Sequence, residues 1–282
     1  MIKTAGFELV EADLKRVEAK MREGVEEHHD LLRTALEYLV SAGGKRLRPV
    51  IVLLATRFQE NVDLEKAASL AGAVEMLHTA TLVHDDFIDN ALIRRGLPTL
   101  NTKWSPGATI LTGDYLFARS AGLAAETENV RIIKIFSMTL MTIVNGELNQ
   151  FFNNGHDGAP TRDEYFQRIY AKTTSLFASG AETGGILADL PEVQIQGLHD
   201  YGYNLGMAFQ IMDDILDFQS TEAQLGKPVA NDLRQGIATL PALIFLDSHP
   251  DHPTIMKAVA KKRPSDEEIQ AVVSEIRASG GI

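Results

Sequence analysis

The chain contains no cysteine, which excludes a disulfide scaffold, a thiolate metal site and a cysteine nucleophile. It also lacks a secretory hydrophobic region and any run of about 18 apolar residues, so no segment reads as a signal peptide or a membrane span. Together these absences predict a cytoplasmic protein. Basic residues are in deficit: 27 Lys and Arg stand against 38 Asp and Glu, for a formal net charge of −11. That balance disfavours a nucleic-acid binder, and a phosphate-bearing substrate would need local cations and metal ions to overcome it. Stretches of strand-like alternation are missing as well.

The 282 residues are 45% hydrophobic and 23% charged, enough to bury a sizeable core. Composition nowhere breaks into a linker, so residues 1–282 are expected to form a single domain. Helical periodicity recurs over Leu9 to Val40, Val50 to Arg57, Leu64 to Ile88, Ala108 to Ala125, Val130 to Phe152, Arg162 to Leu187, Glu192 to Leu216, Ala238 to Leu246 and Asp266 to Ala278. Turn signals such as Gly43-Gly44 and Ser105-Pro106-Gly107 fall between these runs. The pattern predicts an all-α antiparallel bundle with its site among the inward faces.

Two clusters carry the chemistry: Asp85-Asp86-Phe87-Ile88-Asp89 and Asp213-Asp214-Ile215-Leu216-Asp217. On a helix, positions i and i+4 lie one turn apart on nearly the same face, so Asp85 projects with Asp89 and Asp213 with Asp217. Carboxylates this close repel unless something compensates. A hard divalent cation does so, and oxygen donors without His or Cys favour Mg²⁺ over zinc or iron. One cluster alone would read as a solvated helix face. Two of identical spacing, each within an apolar run, read as a pair of helices facing one another across a metal-dependent site.

Cations accompany them. Gly43-Gly44-Lys45-Arg46-Leu47-Arg48-Pro49 sets three basic side chains between a glycine turn and a proline that starts a helix. Its glycines free the backbone to approach an anion, and the planar fork of Arg48 suits a phosphate. His78 lies two turns before Asp85, within about 20° of the same face, whereas His84 points about 100° away and reads as structural. Arg94-Arg95-Gly96 follows the first cluster, and cations beside metal-bound carboxylates suit a diphosphate. Lys172-Thr173, Gln210 and Lys227 are weaker signals singly.

In order along the chain, Gly43 to Pro49, Leu82 to Asp89 with Arg94-Arg95-Gly96, Gly113-Asp114-Tyr115-Leu116, Lys172-Thr173, Phe209 to Asp217 and Leu225-Gly226-Lys227-Pro228 resemble the trans-isoprenyl (polyprenyl) diphosphate synthase family. The resemblance implies an all-α bundle around a deep apolar cavity, a homodimer, and three Mg²⁺ ions at the cavity mouth. Asp85 and Asp89 would bind two metals and Asp213 the third, with Asp86, Asp214 and Asp217 supporting them. Arg94, Lys172, Gln210 and Lys227 would hold an allylic diphosphate, with Thr173 near the reacting carbon. Isopentenyl diphosphate would be gripped by Lys45, Arg48, His78 and Arg95. The activity implied is prenyl transfer by metal-assisted ionisation.

The growing product should run beside the first aspartate helix. In the family, bulky aromatics about one turn before the first aspartate stop growth early. Here Ala80 and Thr81 are small and Leu77 comes next, so a geranylgeranyl or longer product is expected, with Met138 and Met141 as another possible floor. Pro264-Ser265-Asp266-Glu267-Glu268 is a helix-start signal. The helix it opens is expected to be the last, which would leave the domain short at its C-terminus compared with relatives that carry a further helix. A class I terpene cyclase would replace the second cluster by a mixed Asn/Ser/Glu motif and would need no Lys45, Arg48 and His78. A catalytic subunit of a heteromeric synthase remains an alternative.

Overall fold

The computed structural model describes residues 5–23, 29–94, 96–153, 158–220, 228–280 and 282. Two expected site residues, Arg95 and Lys227, lie outside them. Regular structure among the described residues is helical apart from one short hairpin, as the periodicity predicts. No helix among them is long and apolar enough to cross a membrane. The chain divides into two compact units, Met1–Met141 with Leu176–Tyr203, and Thr142–Ser175 with Asn204–Ile282.

The first unit contains α1 (Ala5–Arg22), α2 (Asp30–Ser41), α3 (Leu47–Thr56), α4 (Leu64–Ile88), α5 (Leu100–Lys103), α6 (Pro106–Ala125) and the start of α7 (Val130–Asn153). The helix α9 (Ser175–Leu187) and the first turns of α10 (Glu192–Gln219) complete it. Helix α4 organises this unit. Asp63 caps it by accepting from the backbone of Glu65 and Lys66, and every residue from Ala67 to Leu77 is buried, where α1, α3 and α6 pack around it. A helix apolar on all sides is stable only when enclosed in this way. Its many Ala, Ser and Gly residues let the neighbouring helices approach closely.

The expected run from Leu9 to Val40 proves to be two helices. His29 caps the second, its Nδ1 accepting from the Leu31 N–H at 3.2 Å. Both helices bury an apolar face, Val10, Val17 and Met21 on one and Ala35, Leu36 and Val40 on the other, so periodicity alone registers no break. The hairpin, β1 (Ile93–Arg94) paired with β2 (Leu97–Pro98), corrects the expectation of no strands. A ladder two residues long is too short to carry a period-two signal.

The second unit contains the end of α7, α8 (Arg162–Ile169), most of α10, α11 (Asn231–Arg234), α12 (Leu240–Leu246), α13 (Pro253–Val259) and α14 (Asp266–Ala278). Its core joins Tyr165, Phe218, Leu243, Phe245, Ile255, Val272 and Ile276. Helix α14 opens, as expected, with a reciprocal cap between Ser265 and Glu268. Arg277 Nε then donates to the Phe218 carbonyl at 2.7 Å, tying α14 to the end of α10.

The expected continuous helix over Arg162 to Leu187 is interrupted by a π-turn at Tyr170–Thr174. Close approach accompanies it: a Cβ on Gly146 would lie 2.5 Å from the Ala171 Cβ, so only glycine fits there. Lys172 and Thr173 sit on this turn, and such single π-turns within α-helices are frequent at functional sites.

Candidate active site

The first aspartate cluster occupies the last turn of α4. Asp85 is partly buried, and Asp89 is exposed at the C-cap, its N–H donating to the Asp85 carbonyl at 2.8 Å. Asp86 is buried and accepts from Arg94 Nε at 2.7 Å. Burial pushes the Asp86 carboxyl above its ordinary value; Arg94 opposes the shift, and Asp85 and Asp89 add to it. The short hairpin thus has a clear purpose, since β1 delivers Arg94 onto the aspartate helix.

His84, expected to be structural, packs against α6. Its ring stacks on Phe117 at 5.1 Å between centroids, and Nε2 lies 3.4 Å from Asp114 Oδ1. Gly113 permits this, because a Cβ there would meet His84 Nε2 at 2.5 Å. The Gly113-Asp114 pair is therefore a seat for the histidine beside Asp85. Gly113→Ala should displace the ring and lower stability by about 1–3 kcal/mol, read as a drop in urea midpoint. An unchanged midpoint would mean that the ring moves without cost.

The glycine turn reaches α3 with Gly43 at φ +67 and Arg46 at φ +49. Lys45 is exposed, and the Arg48 guanidinium lies 4.7 Å from the centre of the Phe177 ring, a contact that holds its plane. Arg46, to which the sequence assigned no role, bonds Glu75 through Nη1 at 2.8 Å and the Val40 carbonyl through Nη2 at 2.8 Å. Glu75 is buried on α4 about one turn before His78. One pocket is lined by Tyr38, Arg46, Glu75, His78, Asp86 and Arg94, so the expected His78, Asp86 and Arg94 are brought together and three unexpected residues join them.

In the second cluster, on α10, Asp213 is exposed while Asp214 and Asp217 are buried. Asp217 Oδ2 accepts the Asp232 N–H at 3.2 Å. Asp214 accepts the Tyr165 hydroxyl at 2.8 Å and Gln210 Nε2 at 2.9 Å. Gln210 thus turns to Asp214, four residues on, and its carbonyl accepts the Thr173 hydroxyl at 2.6 Å. Burial raises the Asp214 pKa, against the pull of its Gln210 and Tyr165 hydrogen bonds. Lys172 is exposed on the π-turn and pairs with Glu147 at 2.8 Å. Tyr165 and Glu147 carried no sequence signal, because each reaches its partner from a different helix.

The donor chemistry suits a hard cation: carboxylate oxygens at Asp85, Asp89 and Asp213, with no soft ligand beside them. Among the described residues no three acidic or histidine side chains converge into a complete cage.

The family profile described as Polyprenyl synthetase matches residues 29–276. Component 2 of the heptaprenyl diphosphate synthase of Geobacillus stearothermophilus is 41% identical over 280 residues, 99% of this chain and 86% of that protein. The crystal structure of heptaprenyl diphosphate synthase from Staphylococcus aureus superposes with a TM-score of 0.88 at 34% identity, covering 96% of this chain and 85% of that one. That of a decaprenyl diphosphate synthase from Rhodobacter capsulatus gives 0.89 at 35% identity, covering 98% and 85%. With its all-α fold and two aspartate clusters, the chain belongs to the polyprenyl synthetase family and is a prenyltransferase.

Proposed function

We propose that this protein condenses isopentenyl diphosphate with an allylic diphosphate to build a trans-prenyl diphosphate, with metal ions held at its aspartate clusters. The observation that carries this reading is the shared design of the clusters. In each, the central carboxylate is buried and held by protein donors, Asp86 by Arg94 and Asp214 by Tyr165 and Gln210, while beside them Asp85 is only partly buried and Asp213 is exposed. A locked second carboxylate holds its neighbour in place for a cation.

Magnesium, as three ions held by Asp85, Asp89 and Asp213 together with substrate phosphates, would neutralise charge developing on the departing pyrophosphate. Lys172, Arg94 and Lys227 orient that diphosphate, and Lys45, Arg48, His78 and Arg95 hold isopentenyl diphosphate. The allylic C–O bond breaks and its electron pair leaves with pyrophosphate. The isopentenyl alkene supplies the pair for the new C–C bond, and loss of a proton to the released pyrophosphate restores a double bond. Excluding water keeps the allylic cation from being quenched.

A product longer than geranylgeranyl is supported by relatives named for heptaprenyl and decaprenyl products and by the small side chains before Asp85. Ala80 is fully buried and Thr81 only partly, so Thr81→Phe is the cleaner probe of the floor. It should shorten the product ladder without the overpacking expected at Ala80. Unchanged lengths would move the floor elsewhere, first to the exposed Met138 and Met141 on α7.

The deciding experiment supplies the purified chain and Mg²⁺ with labelled isopentenyl diphosphate and C5, C10, C15 or C20 allylic primers, and sizes the products. A ladder ending at one length is expected; no incorporation with any primer refutes activity of the chain alone. The assembly proposed is a homodimer, which would cover the exposed Val130, Ile133, Val144 and Leu148 of α7. The name "component 2" of the Geobacillus relative favours a second reading, a catalytic subunit active only with a partner.

A further inference from the structure

The hydrogen bonds behind the second aspartate cluster have a direction, and one member sets it. Asp214 is buried to 3% exposure and, as a carboxylate, accepts at both oxygens, from Tyr165 at Oδ2 and from Gln210 Nε2 at Oδ1. The opposite amide orientation would put the Gln210 carbonyl against the carboxylate, acceptor on acceptor. Because the Gln210 NH₂ faces Asp214, its carbonyl must face Thr173, and the 2.6 Å contact there has the Thr173 hydroxyl as donor. A hydroxyl whose single proton is committed in this way has only lone pairs to offer its next neighbour.

We propose that Tyr165 is a positioning residue that acts through Asp214 and Gln210 to make the Thr173 oxygen an electron-pair donor toward the allylic carbon. This rests on the reading above that Thr173 stands beside that carbon. A threonine free to rotate would on occasion turn its O–H dipole toward the centre that becomes positive as the C–O bond breaks. A relay fixed before substrate arrives removes that reorganisation from the barrier. Tyr165 is well suited to anchor the relay, since its ring is fully buried in the core of the second unit and its hydroxyl faces a group that can only accept.

A double-mutant cycle tests this, with turnover measured on isopentenyl diphosphate and an allylic diphosphate and folding checked by thermal unfolding. Tyr165→Phe should lower kcat about tenfold and leave the KM for isopentenyl diphosphate unchanged. Thr173→Val should lower kcat at least as much, and adding Tyr165→Phe to it should cost nothing further, because the relay then has no endpoint. Thr173→Ser keeps the hydroxyl and should keep full sensitivity to Tyr165→Phe. Gln210→Met breaks the relay outside the packed core and should likewise abolish that sensitivity. Losses that multiply in the Tyr165→Phe, Thr173→Val double variant would overturn the relay while leaving the assigned reaction standing. Unimpaired turnover in Thr173→Val alone would instead refute Thr173 as a neighbour of the reacting carbon, and the relay with it.

Discussion

Asp85→Ala and Asp213→Ala should each lower the rate of condensation by about 10³-fold or more, to be measured as incorporation of labelled isopentenyl diphosphate at saturating substrates and Mg²⁺. The size follows from what the departing pyrophosphate requires. On the proposed mechanism charge would develop on it as the allylic bond breaks, and the partly buried Asp85 and exposed Asp213, unlike the buried Asp86 and Asp214, would hold the cation that offsets it. Folding should survive both changes. Asp85 is only partly buried and Asp213 is exposed, and removing one of several crowded carboxylates relieves repulsion. The thermal midpoint is therefore expected to hold or rise while activity collapses. Near-normal turnover in either variant would sink the ionisation mechanism.

Arg46→Ala produces the largest expected loss of stability, about 3–5 kcal/mol. Arg46 and Glu75 form a pair whose side chains are 12% and 7% exposed, and removing the cation leaves the Glu75 carboxylate buried without its partner at 2.8 Å. The same change releases the Val40 carbonyl from Arg46 Nη2 and frees the turn whose left-handed Arg46 lies between Lys45 and Arg48. A rise in the KM for isopentenyl diphosphate should accompany the fall in urea midpoint. The double variant Arg46→Met, Glu75→Leu separates the two effects. Replacing a buried pair by apolar side chains of similar size commonly restores stability, so this variant should regain the midpoint yet keep the raised KM. If KM recovers along with stability, the pair serves folding alone.

Helices α4 and α14 match the periodicity read from the sequence residue for residue, because each carries both a cap and an uninterrupted apolar pattern. Where those local signals conflict with packing, the sequence reading erred. The break between α1 and α2 falls within one continuous apolar period. The π-turn at Tyr170–Thr174 lies against Gly146 on another helix, and the hairpin bearing Arg94 is too short to show alternation. The candidate site divides in the same way. The aspartates and His78 were legible because i, i+4 and i, i+7 spacings are properties of one helix, and the basic turn because its glycines and cations are consecutive.

The amino-acid sequence by itself determined the all-α class, the two carboxylate clusters and the ordered cationic motifs, since each depends on neighbours within a turn or two of one another. Only the tertiary structure decided which carboxylates are buried and which reach the surface. It placed Arg94 on Asp86, Tyr165 and Gln210 on Asp214, and Arg46 on Glu75. Most of these partners come from separate elements, where no chain spacing records the contact. Burial, which raises the cost of any unpaired polar group, makes such distant pairings obligatory once the helices pack.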